Sequence, residues 1–145
     1  MSATHCAQND AEKEDFTKRE PIVMVVDDDP SIISAMQRNF HPYRVQLQVA
    51  FHGMQGIVNA VSIKPDVIIT DLQMPFASGD ELISCLSRHP STAGVPIIVL
   101  TGRPGATMTS RLWQMGVRSV LGKPLLFDTL VEELKREIPM ESRTS

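Results

Sequence analysis

Three short runs of consecutive apolar, β-favouring residues limit what this chain can fold into. They are Ile22-Val23-Met24-Val25-Val26, Val67-Ile68-Ile69-Thr70 and Ile97-Ile98-Val99-Leu100. A strand with one face in water alternates polar and apolar residues. These runs do not alternate, so each suits a strand covered on both faces, as in a parallel sheet flanked by helices. A fourth run, Val45 to Phe51, does alternate and suits a sheet edge. Ser119-Val120-Leu121 is a shorter fifth candidate.

Helical periodicity fills the intervals. Asp29 can cap a helix that has Pro30 in its first turn, followed by Ile32, Ile33, Met36 and Phe40. Met54, Ile57, Val58 and Val61 fall at helical spacing, as do Leu82, Cys85 and Leu86 after Gly79. Met108, Leu112 and Met115 precede Gly116, and Leu126, Leu130, Leu134 and Ile138 form a last stripe. Five strands alternating with five helices predict an α/β, doubly wound, five-stranded parallel sheet. Right-handed crossovers then place helices on both of its faces.

The pattern runs from Pro21 to Pro139. Residues 1–20 are polar and mixed in charge, with Phe16 their one large apolar side chain, and are expected to form a flexible tail. Residues 140–145 read the same way. A net charge of −3 lacks the basic signature of a dedicated nucleic-acid binder. No apolar run reaches the ~20 residues that span a bilayer, and the N-terminus has no apolar signal-peptide core. Two cysteines are too few to staple a domain of this size, so reduced thiols and a cytoplasmic location are expected. Cys85 falls on its helix's apolar stripe and reads as a buried thiol, and Cys6 is a lone thiol in the tail. His5, His41, His52 and His89 have no metal-ligand spacing and are assigned no role.

Chemistry collects where the strands end. The first strand runs into Asp27-Asp28-Asp29, the third into Asp71, the fourth into Thr101, and the fifth is followed by Lys123-Pro124. Open parallel sheets form their sites outside the carboxyl ends of the strands. Taken singly, each feature has a plain reading: favourable charge at a helix start, a turn hydroxyl, a loop. Taken together they bring carboxylates, a hydroxyl and an ammonium to one edge. Clustered carboxylates repel, and a hard divalent cation such as Mg²⁺ relieves that repulsion. A cation, a lysine and a hydroxyl around a nucleophilic aspartate suit phosphoryl transfer through an acyl phosphate.

The segments VVDDDP (Val25 to Pro30), ITDLQMP (Ile69 to Pro75), VLTG (Val99 to Gly102) and GKP (Gly122 to Pro124) resemble, in order and spacing, the receiver domain of two-component response regulators. The resemblance covers nearly all of the patterned chain. It implies a flavodoxin-like sheet in the order 2-1-3-4-5, for which a chemotaxis member of this family is a standard example. It implies Asp71 as the phosphoacceptor, charged from a phosphohistidine on a sensor histidine kinase or phosphotransfer protein. Asp28, Asp71 and the backbone carbonyl of Gln73 would ligate Mg²⁺, with Asp27 acting through water. Thr101 and Lys123 would meet the phosphoryl oxygens, and Asp29 would cap the first helix. Gly79 matches the glycine of the loop after the phosphorylation site, and Pro124 a commonly cis Lys-Pro bond. Gln73 and Arg103 match positions that modulate acyl-phosphate lifetime, although Arg103 also reads as a solvated side chain. The length leads us to expect a stand-alone receiver with no nucleic-acid or membrane partner.

One position departs from the pattern. Where the family usually carries Tyr or Phe, three residues before the lysine, this chain has Val120, which has no ring to rotate. The usual coupling of hydroxyl to aromatic is therefore in question. Trp113, one residue off its helix's stripe, is a candidate anchor for an effector on the fourth-helix, fifth-strand, fifth-helix face, or else packs sideways. Two other readings compete. One is a degenerate receiver used as a binding module. The other is a haloacid-dehalogenase-type phosphatase, which Asp27-Asp28-Asp29 would open but which needs further acids at another strand end. Asp128, Glu132 and Glu133 fall on the last helix instead.

Overall fold

The computed structural model describes residues 19–74, 78–103 and 105–143. Among these, five parallel strands form one sheet in the order β2-β1-β3-β4-β5. In chain order the elements are β1 (Ile22–Val26), α1 (Pro30–Phe40), β2 (Gln46–Ala50), α2 (Gly53–Ile63), β3 (Val67–Asp71), α3 (Gly79–Arg88), β4 (Ile97–Thr101), α4 (Ala106–Gln114), β5 (Ser119–Gly122) and α5 (Phe127–Lys135). This is the doubly wound α/β fold that the strand and helix patterning implies.

The unalternating strands are explained by two cores, one on each face. Val23, Val25, Val67, Ile69, Ile98 and Leu100 point to the face covered by α1 and α5, where they meet Ile33, Met36, Leu130 and Leu134. Their neighbours Met24, Val26, Ile68, Ile97 and Val99 point to the opposite face, against Ala60, Leu82, Leu86 and Leu112 of α2, α3 and α4. Every residue of β3 and β4 is buried. The alternating β2 lies at the sheet edge with Gln46 exposed. Phe40 and Phe127 meet edge to face with centroids 5.0 Å apart and join α1 to α5.

Three features differ from the sequence reading. In α2, Met54 and Val58 are half exposed, and the helix instead buries Gly53, Gly56 and Ala60. Small residues win this face because the helix lies close to the sheet and α3. A Cβ on Gly56 would come within 2.7 Å of Leu82 Cδ1. In α3, Ile83 rather than Cys85 is buried, and the Cys85 thiol is exposed. That helix turns its Leu82/Ile83/Leu86 side inward, leaving position 85 outside the stripe.

The third difference is at the C-terminus. Met140 packs on the α1/α5 core, and Ser142 bridges Tyr43. Arg143 reaches the carbonyls of His41 and Val45 and pairs with Glu20 at 2.7 Å. Residues 140–143 are thus tied to the loop before β2 by backbone pairing and charge. Arg19 likewise grips Asp66 with two hydrogen bonds. Phe16, Cys6 and His5 lie outside the described residues.

Candidate functional site

The C-terminal edge of the sheet gathers the charged ends of β1, β3, β4 and β5. The ladders hold these ends in register: Val26 pairs with Thr70, Asp71 with Leu100, and Thr101 with Gly122. Asp27 directly follows β1 and is only 1% exposed. Its backbone N–H donates a hydrogen bond to the Ala50 carbonyl, and its Oδ1 accepts from Asp29 N at 2.9 Å. Burial, first of all, raises the Asp27 pKa above the ordinary aspartate value. The Asp29 amide and Lys123 oppose this, and the nearby Asp71 adds to it.

Asp28 is exposed beside it. One carboxylate oxygen from each of Asp27, Asp28 and Asp71 lies within 4.8 Å of the others. That donor set, three hard anionic oxygens opening to solvent, fits a divalent cation that keeps several waters. Asp29 takes a different role, as the N-cap of α1. Its Oδ1 accepts from Ser31 N at 2.9 Å and Ser31 Oγ at 2.7 Å, and these bonds lower its pKa.

Asp71 ends β3 and is nearly buried. Its Oδ1 accepts from Leu72 N at 2.8 Å and from Gln73 N at 3.4 Å, while its Oδ2 faces Lys123 Nζ at 3.4 Å. The same ammonium stands 3.5 Å from Asp27 Oδ2, so one lysine bridges two carboxylates. The Lys123 backbone N–H donates a hydrogen bond to the Thr101 carbonyl, and the peptide bond to Pro124 is cis. Thr101 is buried at the end of β4, and its Oγ1 accepts from Arg103 N at 3.2 Å. The hydroxyl proton remains available for donation.

Gly79 opens α3 directly behind the site. Its amide donates to the Leu72 carbonyl at 3.0 Å. A Cβ there would collide with the Asp71 carbonyl and come within 2.7 Å of Leu72 Cα. This glycine therefore exists for close approach rather than for an unusual φ. Gln73 and Arg103 are exposed at the rim. Pro75 of the second motif lies outside the described residues.

All of Asp27, Asp28, Asp71, Thr101 and Lys123 thus occupy one edge. Asp128, Glu132 and Glu133 do not join them. They lie along α5, where Glu133 accepts a 2.6 Å bond from Ser119. Trp113 is 53% exposed on α4. Val120 is half-buried against the α2–α4 core. Two of the histidines play local parts that spacing did not reveal. His52 caps α2 by accepting from Gln55 N, and His89 Nδ1 lies 2.8 Å from Ser91 Oγ.

Comparison with known proteins identifies the family. Residues 23–135 match the response regulator receiver domain, and the chain belongs to that family. It is 32% identical over 121 residues to hybrid signal transduction histidine kinase D of Dictyostelium discoideum, covering 83% of this chain but 8% of that protein. The receiver domain of the Francisella response regulator 1452 superposes with a TM-score of 0.75 at 26% identity, over 81% of this chain and 95% of that one. The receiver domain of a Pseudomonas aeruginosa sensor histidine kinase, solved with magnesium in its active-site cleft, gives a TM-score of 0.70 at 24% identity. It covers 81% of this chain and 97% of its own. The family places the chain in two-component phosphorelay signalling, as a signalling module. No helix among the described residues is long and apolar enough to cross a membrane.

Proposed function

We propose that this chain is a phosphorylation switch that accepts a phosphoryl group on Asp71 from a phosphohistidine of a sensor histidine kinase or phosphotransfer protein. The observation that carries the reading is the bridging of Asp27 and Asp71 by Lys123, with Asp28 completing the acidic cluster. Asp71 supplies the nucleophile. An oxygen lone pair forms the new P–O bond while the P–N bond to the donor breaks, and the imidazole leaves with that electron pair. Asp28, Asp71 and the Gln73 carbonyl would hold Mg²⁺, with Asp27 through water. When bound, the cation supplies charge neutralisation for the phosphoryl oxygens.

The remaining roles belong to the chain itself. Lys123 is close enough to Asp71 to pair with a phosphoryl oxygen placed there. Thr101 would donate its hydroxyl to a second oxygen, drawing the loop after β4 inward. Phosphorylation adds charge and acceptor oxygens at this edge and biases the surface beyond it. Because Val120 has no ring, that bias would travel through Thr101 and its loop without aromatic rotation. Trp113 is an exposed anchor for a protein effector on the α4/β5/α5 face. A cytoplasmic location, and no nucleic-acid or membrane partner, accompany this reading.

Incubation with Mg²⁺ and acetyl phosphate, read by intact mass, tests it. One phosphoryl adduct is expected, and none in Asp71→Asn. A wild-type chain that stays unmodified with both acetyl phosphate and phosphorylated kinase sinks the proposal. Steady turnover of a phosphate ester, lost in Asp27→Asn and kept in Asp71→Asn, would instead mark a phosphatase.

A further inference from the structure

Thr70 precedes the phosphoacceptor and is fully buried. It is a polar residue among Val67, Ile68 and Ile69, in a strand otherwise apolar up to Asp71. Its Oγ1 donates to the backbone carbonyl of Asp71 at 2.8 Å. The ladder to β1 has its last pair at Val26 and Thr70, one residue short of that carbonyl. The hydroxyl therefore holds the carbonyl just where the ladder stops.

The consequence follows from the planarity of the peptide group. In a trans peptide the C=O and the following N–H point in opposite directions. With the Asp71 oxygen held by Thr70, the Leu72 N–H is aimed the other way, and it donates to Asp71 Oδ1 at 2.8 Å. Oδ1 is thereby occupied, and Oδ2 is left facing Lys123 at 3.4 Å. Gly79 fixes the next peptide, through its bond to the Leu72 carbonyl and the absence of a Cβ.

We propose that Thr70 is a positioning residue for phosphoryl acceptance: its hydroxyl locks the 71–72 peptide plane, which fixes the Asp71 carboxylate so that Oδ2 is the attacking oxygen. This rests on the reading of Asp71 as phosphoacceptor. In the step itself, an Oδ2 lone pair forms the P–O bond to Asp71. The P–O bond of acetyl phosphate breaks, and acetate leaves with the electron pair.

The test measures the rate of Asp71 phosphorylation against acetyl phosphate concentration, with saturating Mg²⁺, for wild type, Thr70→Val, Thr70→Ser and Thr70→Cys. All are assayed below the onset of thermal unfolding. Thr70→Val removes the donor and is expected to slow the maximal rate about 3- to 10-fold, because a loosened nucleophile loses near-attack geometry. The half-saturating donor concentration should stay unchanged. Thr70→Ser restores the donor and should return to within about twofold of wild type, whereas Thr70→Cys, a weak donor, should fall between. If Thr70→Val does not fold, the comparison of Ser with Cys decides. A merely structural role would lower stability in all three without ordering the maximal rates by donor strength. Native Thr70→Val at the wild-type rate, or Thr70→Ser as slow as Thr70→Cys, would overturn the proposal. If wild type itself gains no phosphoryl group, the phosphoacceptor reading fails rather than this one.

Discussion

Replacing Asp27 with asparagine removes one negative charge from the most buried point of the acidic edge while keeping the side chain's size and its Oδ1 acceptor. At an effective dielectric of about 20, repulsion from Asp71, with oxygens within 4.8 Å, costs about 3.5 kcal/mol. Attraction to Lys123 at 3.5 Å returns about 4.7 kcal/mol, but Asp71 shares that lysine. The two terms nearly cancel, and burial decides. Taking a carboxylate out of water costs several kcal/mol, of which the Asp29 amide recovers about 1.5–3. Without divalent cation, Asp27→Asn should therefore stabilise the fold at neutral pH by about 1–3 kcal/mol, or about 3–8 °C in Tm.

The pH dependence has a definite sign. The folded pKa of Asp27 lies above the unfolded one, so the folded state holds its proton more tightly. This group's contribution is fully favourable below about 3.8 and is lost as pH rises through the elevated folded value. The gap between variant and wild type should be wide at about pH 7 and narrow towards pH 4. Urea unfolding in EDTA at both pH values measures it. Added Mg²⁺ should raise wild-type stability more than that of the variant. A variant less stable than wild type near pH 7 in EDTA, or a gap that widens in acid, would refute the electrostatic account.

Other perturbations have equally definite expectations. Gly79→Ala should cost about 1–3 kcal/mol in urea unfolding, because its Cβ meets the Asp71 carbonyl and the Leu72 backbone; a change under about 0.5 kcal/mol would contradict that packing. Lys123→Met leaves Asp27 and Asp71 unbridged, so it should lower stability in EDTA and recover much of the loss when Mg²⁺ is added; equal losses with and without Mg²⁺ would speak against the bridge. Arg143→Ala should cost about 1 kcal/mol, since it releases two backbone carbonyls and a partly exposed ion pair, as read from Tm. Met54→Gln should stay within about 0.5 kcal/mol, whereas Leu82→Ala should cost about 2–5.

The sheet and its site edge were legible because two constraints were written locally. Strands buried on both faces cannot hide a polar residue without a partner, so Ile22–Val26, Val67–Ile69 and Ile97–Leu100 stand out as unbroken apolar runs. The reactive groups follow those runs directly, so strand order converts sequence position into proximity. Helix faces were less legible. Apolar periodicity pointed to Met54 and Val58, but close packing favoured Gly56 and Ala60, whose small size carries no hydropathy signal. Cys85 differs for a related reason: the helix turns Leu82, Ile83 and Leu86 inward, which leaves Cys85 on the exposed side. The docking of residues 140–143 depends on a backbone bridge to Tyr43 and on Arg143 meeting Glu20, long-range pairings that composition does not encode. The role of Thr70 was also hidden, since a hydroxyl bond to the next residue's carbonyl leaves no pattern.

The location of the phosphoryl group decides whether Asp71 is the acceptor. After reaction with acetyl phosphate and Mg²⁺, borohydride reduction of the acyl phosphate followed by peptide mapping marks the acceptor residue. A single mark is expected at Asp71, dependent on Mg²⁺ and absent in EDTA. A mark on Asp27 or Asp28, or a phosphoryl group on a histidine or hydroxyl that resists the reduction, would contradict it.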